Sequence, residues 1–316
     1  MSEVFSRAGV LGIVVAAAGW LAAVMDAAPD APSGVEQQLQ FAARTQGVLV
    51  DVEVLRDGHP YPGLAEADFE LRDNGVPQAF EMVKTADAPI NAVLALDVSA
   101  STAGQPLADL TTASRALLDG LRTGDHVALT TFNQTAAQRV PLTTDLTAMR
   151  TALSRIVPAG DTALLDGVYV ALVSTQVAVG ASLVVVYTDG ADTASWLQAN
   201  EVRDAAARSN AVVDAVVIQS GHRWTELKDL VDATGGQVVI VKSTADLAGE
   251  FARILREFRS RYLLTFVPRG VEPGGFHRLD VHVRRGGLAV HARAGYFSDA
   301  PGRLNPQPAT ATGAVR

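Results

Sequence analysis

The 316-residue chain contains no cysteine. Disulfides, thiolate zinc sites, a cysteine nucleophile and lipid attachment through an N-terminal cysteine are therefore excluded, while either side of a membrane stays open as a location. Positive charge is in short supply as well. Lys and Arg number 26 against 34 Asp and Glu, for a net charge of −8. An acidic surface repels phosphate backbones, so no nucleic-acid partner is expected. Arg253, Arg256, Arg259 and Arg261 cluster, but Glu250 and Glu257 interrupt them, and the stretch reads as the solvated face of a helix. A Gly-x-Ser-x-Gly elbow, a P-loop, a His-Glu-x-x-His helix, a dinucleotide fingerprint and internal repeats are all missing. The 6 histidines are scattered; His282 and His291 fall on expected neighbouring strands and read as a surface pair.

What is present describes a folded protein, with 48% apolar and 19% charged residues. Residues 1–33 open with an uncharged apolar run, Ala8 to Met25, placed between Arg7 and Asp26. This is the pattern of a secretory signal or an N-terminal membrane anchor followed by a Pro/Ala spacer, and it predicts an extracytoplasmic protein. Residues 34–87 turn to period two, with Val48, Val50, Val52 and Val54 on one face, and turns at Asp57-Gly58 and Asn74-Gly75. They read as antiparallel strands.

From residue 88 to 243 continuous apolar runs alternate with amphipathic stretches. The runs are Ala92–Leu96, Val127–Phe132, Leu183–Thr188, Val212–Ile218 and Val238–Val241. The stretches between them are Leu107–Leu121, Leu146–Val157, Ala163–Val179, Glu201–Ser209 and Thr225–Ala233. Strands apolar on both faces and separated by helices predict a doubly wound, mostly parallel sheet covered on both sides. A linking helix is expected over 244–260, and period two returns over 261–298. Both terminal sets of strands need a partner layer to bury one face. The economical arrangement is a single β-sandwich built from both ends, with the α/β domain inserted in it. Residues 299–316, rich in Pro, Ala, Thr and Gly, read as a disordered tail.

In a doubly wound sheet ligands sit at the carboxyl ends of strands. The first run of the α/β domain ends in Asp97-Val98-Ser99-Ala100-Ser101, a carboxylate and two hydroxyls in one turn. Thr162 opens a later helix, and Asp189 follows the Leu183–Thr188 strand. All are hard oxygen donors, suited to Mg²⁺ or Ca²⁺. A hydrolase with Asp97 as nucleophile would need an acid/base carboxylate two residues on; Ser99 stands there and does not shuttle protons near neutral pH.

In order and spacing, Asp97-x-Ser99-x-Ser101, Thr162 and Asp189 resemble the metal-ion-dependent adhesion site (MIDAS) of von Willebrand factor type A (VWFA) domains. The flanks extend the likeness to the acidobacterial-type VWFA-related proteins, over roughly residues 40 to 297. They include Asp68-Phe69-Glu70, Asp73-Asn74-Gly75-Val76-Pro77-Gln78, Thr234-Gly235-Gly236 and Ala294-Gly295-Tyr296-Phe297. The resemblance implies that Ser99, Ser101 and Thr162 contact one Mg²⁺, Ca²⁺ or Mn²⁺ ion, with Asp97 and Asp189 acting directly or through water. It implies a non-enzymatic module whose protein partner presents an Asp or Glu to complete the metal shell. Such a module acts either in adhesion or as an envelope assembly factor working with a membrane or ATPase partner; a metal-dependent hydrolase is the remote alternative. Asp161 stands where the family commonly has Gly. Asp161, Asp166 and Asp192 are expected outside the immediate ligand set, and Trp196 and Trp224 follow loops on the same side.

Overall fold

The structure, a computed structural model, describes residues 47–176, 180–221 and 223–298. The leader, the spacer, the first part of the expected N-terminal β region and the tail lie outside the described residues. So do Trp20 and the end of the helix expected to reach Val179.

Six strands form the central sheet: β6 (Ile90–Asp97), β7 (His126–Phe132), β8 (Ala136–Thr143), β9 (Ala181–Thr188), β10 (Ala211–Ile218) and β11 (Val238–Val241), with the order β11-β10-β9-β6-β7-β8. All pairings are parallel except β7 with β8. β6 and β9 are buried at all eight positions, as strands covered on both faces must be. One face carries α1 (Gln105–Asp119), α2 (Leu146–Leu153) and α6 (Leu247–Arg259), through Leu110, Leu117, Met149, Phe251 and Phe258. The other face carries α3 (Leu164–Thr175), α4 (Ala199–Arg208) and α5 (Thr225–Thr234), through Leu165, Val168, Leu172, Val202 and Leu230. The chain order runs outward from β6 in one direction and from β9 in the other. The switch point therefore lies between the carboxyl ends of β6 and β9, the place where such sheets take their ligands.

Strand β8 is absent from the sequence expectation. Only Val140 of its eight residues is buried, so it carries no apolar period. As an antiparallel edge strand it tolerates Pro141 and exposed Gln138 and Arg139, and its register with β7 is interrupted.

The terminal strands form two antiparallel sheets that share a core. One has the order β14-β1-β12-β5, from β1 (Val48–Arg56), β5 (Glu81–Lys84), β12 (Tyr262–Phe266) and β14 (Ala289–Ala292), with the short β2 (His59–Pro60) paired to β1. The other has the order β15-β13-β3-β4, from β3 (Phe69–Asp73), β4 (Val76–Gln78), β13 (Gly275–Val283) and β15 (Gly295–Ser298). Val50, Val52, Val54, Phe69, Leu71, Tyr262, Leu264 and Phe266 fill the space between them. The alternate face of β1 carries Leu49, Asp51 and Glu53. Leu49 joins the α/β core together with Val83 and Leu263, so this sheet packs against the inserted domain.

That packing overturns the reading of the arginine cluster. Arg253 does lie on a partly exposed helix face, paired with Glu250 and Glu257. Arg259 and Arg261 are buried between the α/β domain and the sandwich. Arg259 pairs with Asp125, while Arg261 donates to Gly235 O at 2.9 Å and lies 3.7 Å from Glu53. The two histidines also separate. His282 is on β13, opposite Glu70, whereas His291 is on β14 in the other sheet, 3.3 Å from Glu53. The strands adjoin in sequence but enter different layers of the sandwich.

Candidate metal centre

Asp97 ends β6, and burial makes its carboxylate costly unless its oxygens are satisfied. One oxygen accepts the Ser99 N–H at 2.9 Å, and the other accepts the Thr188 hydroxyl at 2.7 Å. The turn then carries Ser99 Oγ to 3.0 Å from Ser101 Oγ, and Ser101 Oγ donates to Asp189 Oδ1 at 2.8 Å. A continuous chain of side-chain oxygens thus crosses from the end of β6 to the end of β9.

The third loop is tied to the first by backbone bonds. Ala159 N–H donates to Val98 O at 3.0 Å, and Ala100 N–H to Gly160 O at 2.9 Å. Gly160 has φ +76°, a conformation that favours glycine, and the end of the Gln134 side chain lies against it. Thr162 follows, 7% exposed, and its Oγ1 would lie 3.7 Å from a Cβ placed on Gly190. The residues singled out from sequence therefore share one place: Asp97, Ser99, Ser101 and Asp189 are joined by hydrogen bonds, with Thr162 beside the Asp189-Gly190 turn.

The neighbouring aspartates have separate work. Asp192 accepts from the Leu164 N–H at 2.9 Å, capping the start of α3, and from Ser195 Oγ at 2.7 Å. Asp166 accepts the Trp196 and Leu197 N–H groups, fastening the loop after β9 to α3. Asp161 is exposed. Trp196 is 88% exposed, whereas Trp224 packs half-buried against the α3–α5 core.

One contributor, Thr188, and one buried polar neighbour, Tyr187, were not singled out from sequence. Thr188 reads there as one more strand-forming residue, yet its hydroxyl orients Asp97. Tyr187 reads as core, yet its buried hydroxyl has no hydrogen-bond partner. Burial, and then the Asp189, Asp97 and Asp109 charges, push its pKa upward.

The donor set fits a hard divalent cation. Every candidate atom is an oxygen, and among the described residues neither Asp97 nor Asp189 has a cationic side chain paired to it. Burial raises the Asp97 pKa, helped by the Asp189 charge and opposed by the Ser99 and Thr188 hydrogen bonds. A bound cation would supply the counter-charge for such a pair. Among the described residues no three His, Cys, Asp or Glu side chains gather as a cage. Two carboxylates with neutral hydroxyls is instead the composition that leaves an ion electrophilic.

A doubly wound sheet with oxygen donors at its switch point defines the class of fold. The family model for the von Willebrand factor type A domain matches residues 91–253, and the chain belongs to that family. Its members often bind a divalent metal at a MIDAS and mediate protein interactions, mostly without catalysis. Among solved structures, a von Willebrand factor type A protein from Catenulispora acidiphila is 14% identical with a TM-score of 0.51, covering 78% of this chain and 73% of that one. The PilB minor pilin from Streptococcus sanguinis is 13% identical with a TM-score of 0.46, covering 54% and 61%. Proximal thread matrix protein 1 from the mussel byssus, solved with a zinc-occupied MIDAS motif, is 16% identical with a TM-score of 0.48, covering 58% and 49%. These are likenesses of fold. No curated protein matches the sequence.

Proposed function

We propose that this chain is a cation-dependent protein-binding module of the adhesion or scaffold type, without catalytic activity. The observation that carries the reading is the hydrogen-bonded run Asp97–Ser99–Ser101–Asp189 across the switch point, with Thr162 alongside. In this reading Ser99, Ser101 and Thr162 supply hydroxyl ligands. Asp97 and Asp189 supply the charge, and Thr188 holds Asp97 in place.

Mg²⁺ is the favoured ion, with Ca²⁺ and Mn²⁺ as alternatives; when bound, it supplies an electrophilic centre that a carboxylate completes. The partner is a protein presenting an Asp or Glu at an interface whose rim includes Trp196. Ser99, two residues after Asp97, cannot act as an acid/base near neutral pH, which supports a binding role over hydrolysis. The apolar run before Asp26 supports action outside the cytoplasm, secreted, periplasmic or anchored. Among the described residues no helix is long and apolar enough to cross a membrane.

Calorimetric titration of Mg²⁺ into the purified chain tests the reading. One site is expected, lost in Asp97→Ala; binding that is absent from the wild type or unchanged in the variant rejects it.

A further inference from the structure

Between the end of β7, β8 and the segment after α2 lies a cavity of about 390 Å³, which shares Val98 with the loop that follows β6. Its lining includes Val98, which sits between Asp97 and Ser99, and Asn133, just after β7. Arg139 of β8 and Arg155 also line it, as do the apolar Ile156 and Val157. Arg139 Nε donates to Thr131 Oγ1 at 2.7 Å, which fixes that guanidinium along the wall. Arg155 is exposed, and neither arginine has an acidic partner among the described residues.

Val157 is 76% exposed, which among the large apolar side chains of the described residues only Trp196, at 88%, exceeds. Both stand on the loops that hold the centre. Val157 lies two residues before Ala159, which bonds to Val98 O, and Trp196 bonds to Asp166. An exposed apolar residue beside guanidinium groups that have no acidic partner suits an interface.

The charge around the centre is lopsided. Asp166 and Asp192 lie at the start of α3, on the face of the sheet opposite to α2 and Arg155, in a chain whose net charge is −8. An acidic partner is repelled from that side and attracted toward Arg139 and Arg155.

We propose that this groove is a second subsite for an acidic protein segment. One carboxylate of the segment reaches the ion. A second seats between Arg139 and Arg155, and an apolar side chain between the two packs on Ile156 and Val157. Guanidinium groups favour this because they bind carboxylates through paired N–H donors and tolerate apolar surroundings. The subsite rests on the metal-site reading, and it selects among acidic partners: a lone Asp or Glu satisfies the ion but leaves the arginines unused.

Fluorescence anisotropy with the full chain in Mg²⁺ at low salt separates the two ideas. The probes are a labelled Gly-Glu-Leu-Glu-Gly peptide and its counterpart with the second Glu replaced by Gln. The dicarboxylate peptide is expected to bind the wild type about tenfold more tightly. Arg155→Glu should remove that preference and Arg139→Gln should reduce it, while calorimetric Mg²⁺ affinity and the melting temperature stay unchanged. Equal binding of the two peptides by the wild type, or a preference that survives Arg155→Glu, overturns the subsite. A preference that needs Arg155 but is the same in EDTA and in Asp97→Ala upholds the subsite and overturns the metal-bridged reading. Failure of both peptides to bind overturns both.

Discussion

Asp97 and Thr188 end adjacent parallel strands, and the threonine hydroxyl donates to the aspartate across 2.7 Å. The same hydroxyl lies 3.0 Å from Gly190 O and 3.3 Å from Gly190 N, so one side chain organises both the carboxylate of the first loop and the turn that carries Asp189. Removing it as Thr188→Val is expected to leave the sheet folded and to weaken Mg²⁺ binding by about 10- to 100-fold, the usual cost of losing a partner behind a metal ligand. Thr188→Ser should restore most of the affinity. Calorimetry on both variants checks this, and wild-type affinity in Thr188→Val would remove Thr188 from the site.

A second expectation concerns pH. Asp51 is buried between the sandwich and the α/β domain, and neither of its carboxylate oxygens has a hydrogen-bond partner. Burial raises its pKa from 3.8 to about 7, against the pull of Arg261 and Arg293. Burial likewise raises Asp214 to about 6, again opposed by Arg261. A raised carboxyl pKa means that the folded chain keeps a proton which the unfolded chain has released. The contribution is therefore full below the unfolded value near 3.8 and is lost as pH climbs toward 7. Urea unfolding between pH 4 and 8 should show stability declining across this window, the Asp51 shift alone corresponding to about 4 kcal/mol. Asp51→Asn should flatten the slope; an unaltered slope in that variant excludes Asp51 as its source.

Arg259 offers a test of the buried junction. Its partner Asp125 also accepts the Ile90 N–H at 3.0 Å and the Arg122 N–H at 2.6 Å, so the pair anchors the start of β6 to the end of α6. Arg259→Leu leaves a buried carboxylate without its counter-charge and is expected to cost about 3–5 kcal/mol. A loss below about 1 kcal/mol by chemical denaturation would mean that the junction relaxes around the missing charge.

Trp196 predicts the opposite pattern. At 88% exposure its ring contributes little to the core, so Trp196→Ala should shift the melting temperature by no more than about 1 °C. Partner capture from envelope extracts in Mg²⁺ should nonetheless fall several-fold, as for an aromatic interface anchor. Undiminished capture would place the interface elsewhere.

The sheet was legible because β6 and β9 are buried on both faces and so read as unbroken apolar runs. The candidate site was legible because its hydroxyls and carboxylates fall where those runs stop. Burial alone also argued for a shared sandwich, since Val48 to Val54 and Tyr262 to Phe266 each offered one apolar face without cover. Residues whose role depends on a distant neighbour were not legible. Arg259 and Arg261 look solvated until Asp125 and Glu53 are brought to them. Strand β8 has too few buried residues to show a period, and the bond from Thr188 to Asp97 spans 91 positions of sequence.

The pairing of the sandwich has a kinetic consequence. Tyr262 hydrogen-bonds to Tyr61 O although 201 positions separate them, and β12 lies between β1 and β5. During synthesis the early strands therefore wait, unpaired along their inner edges, until the whole intervening domain has emerged. Closing so long a loop is entropically expensive unless that domain has already collapsed and brought its two ends together. Folding is therefore expected to run from the middle of the chain outward, and damage to the inserted sheet should reach the sandwich as a failure to close before it appears as a loss of packing.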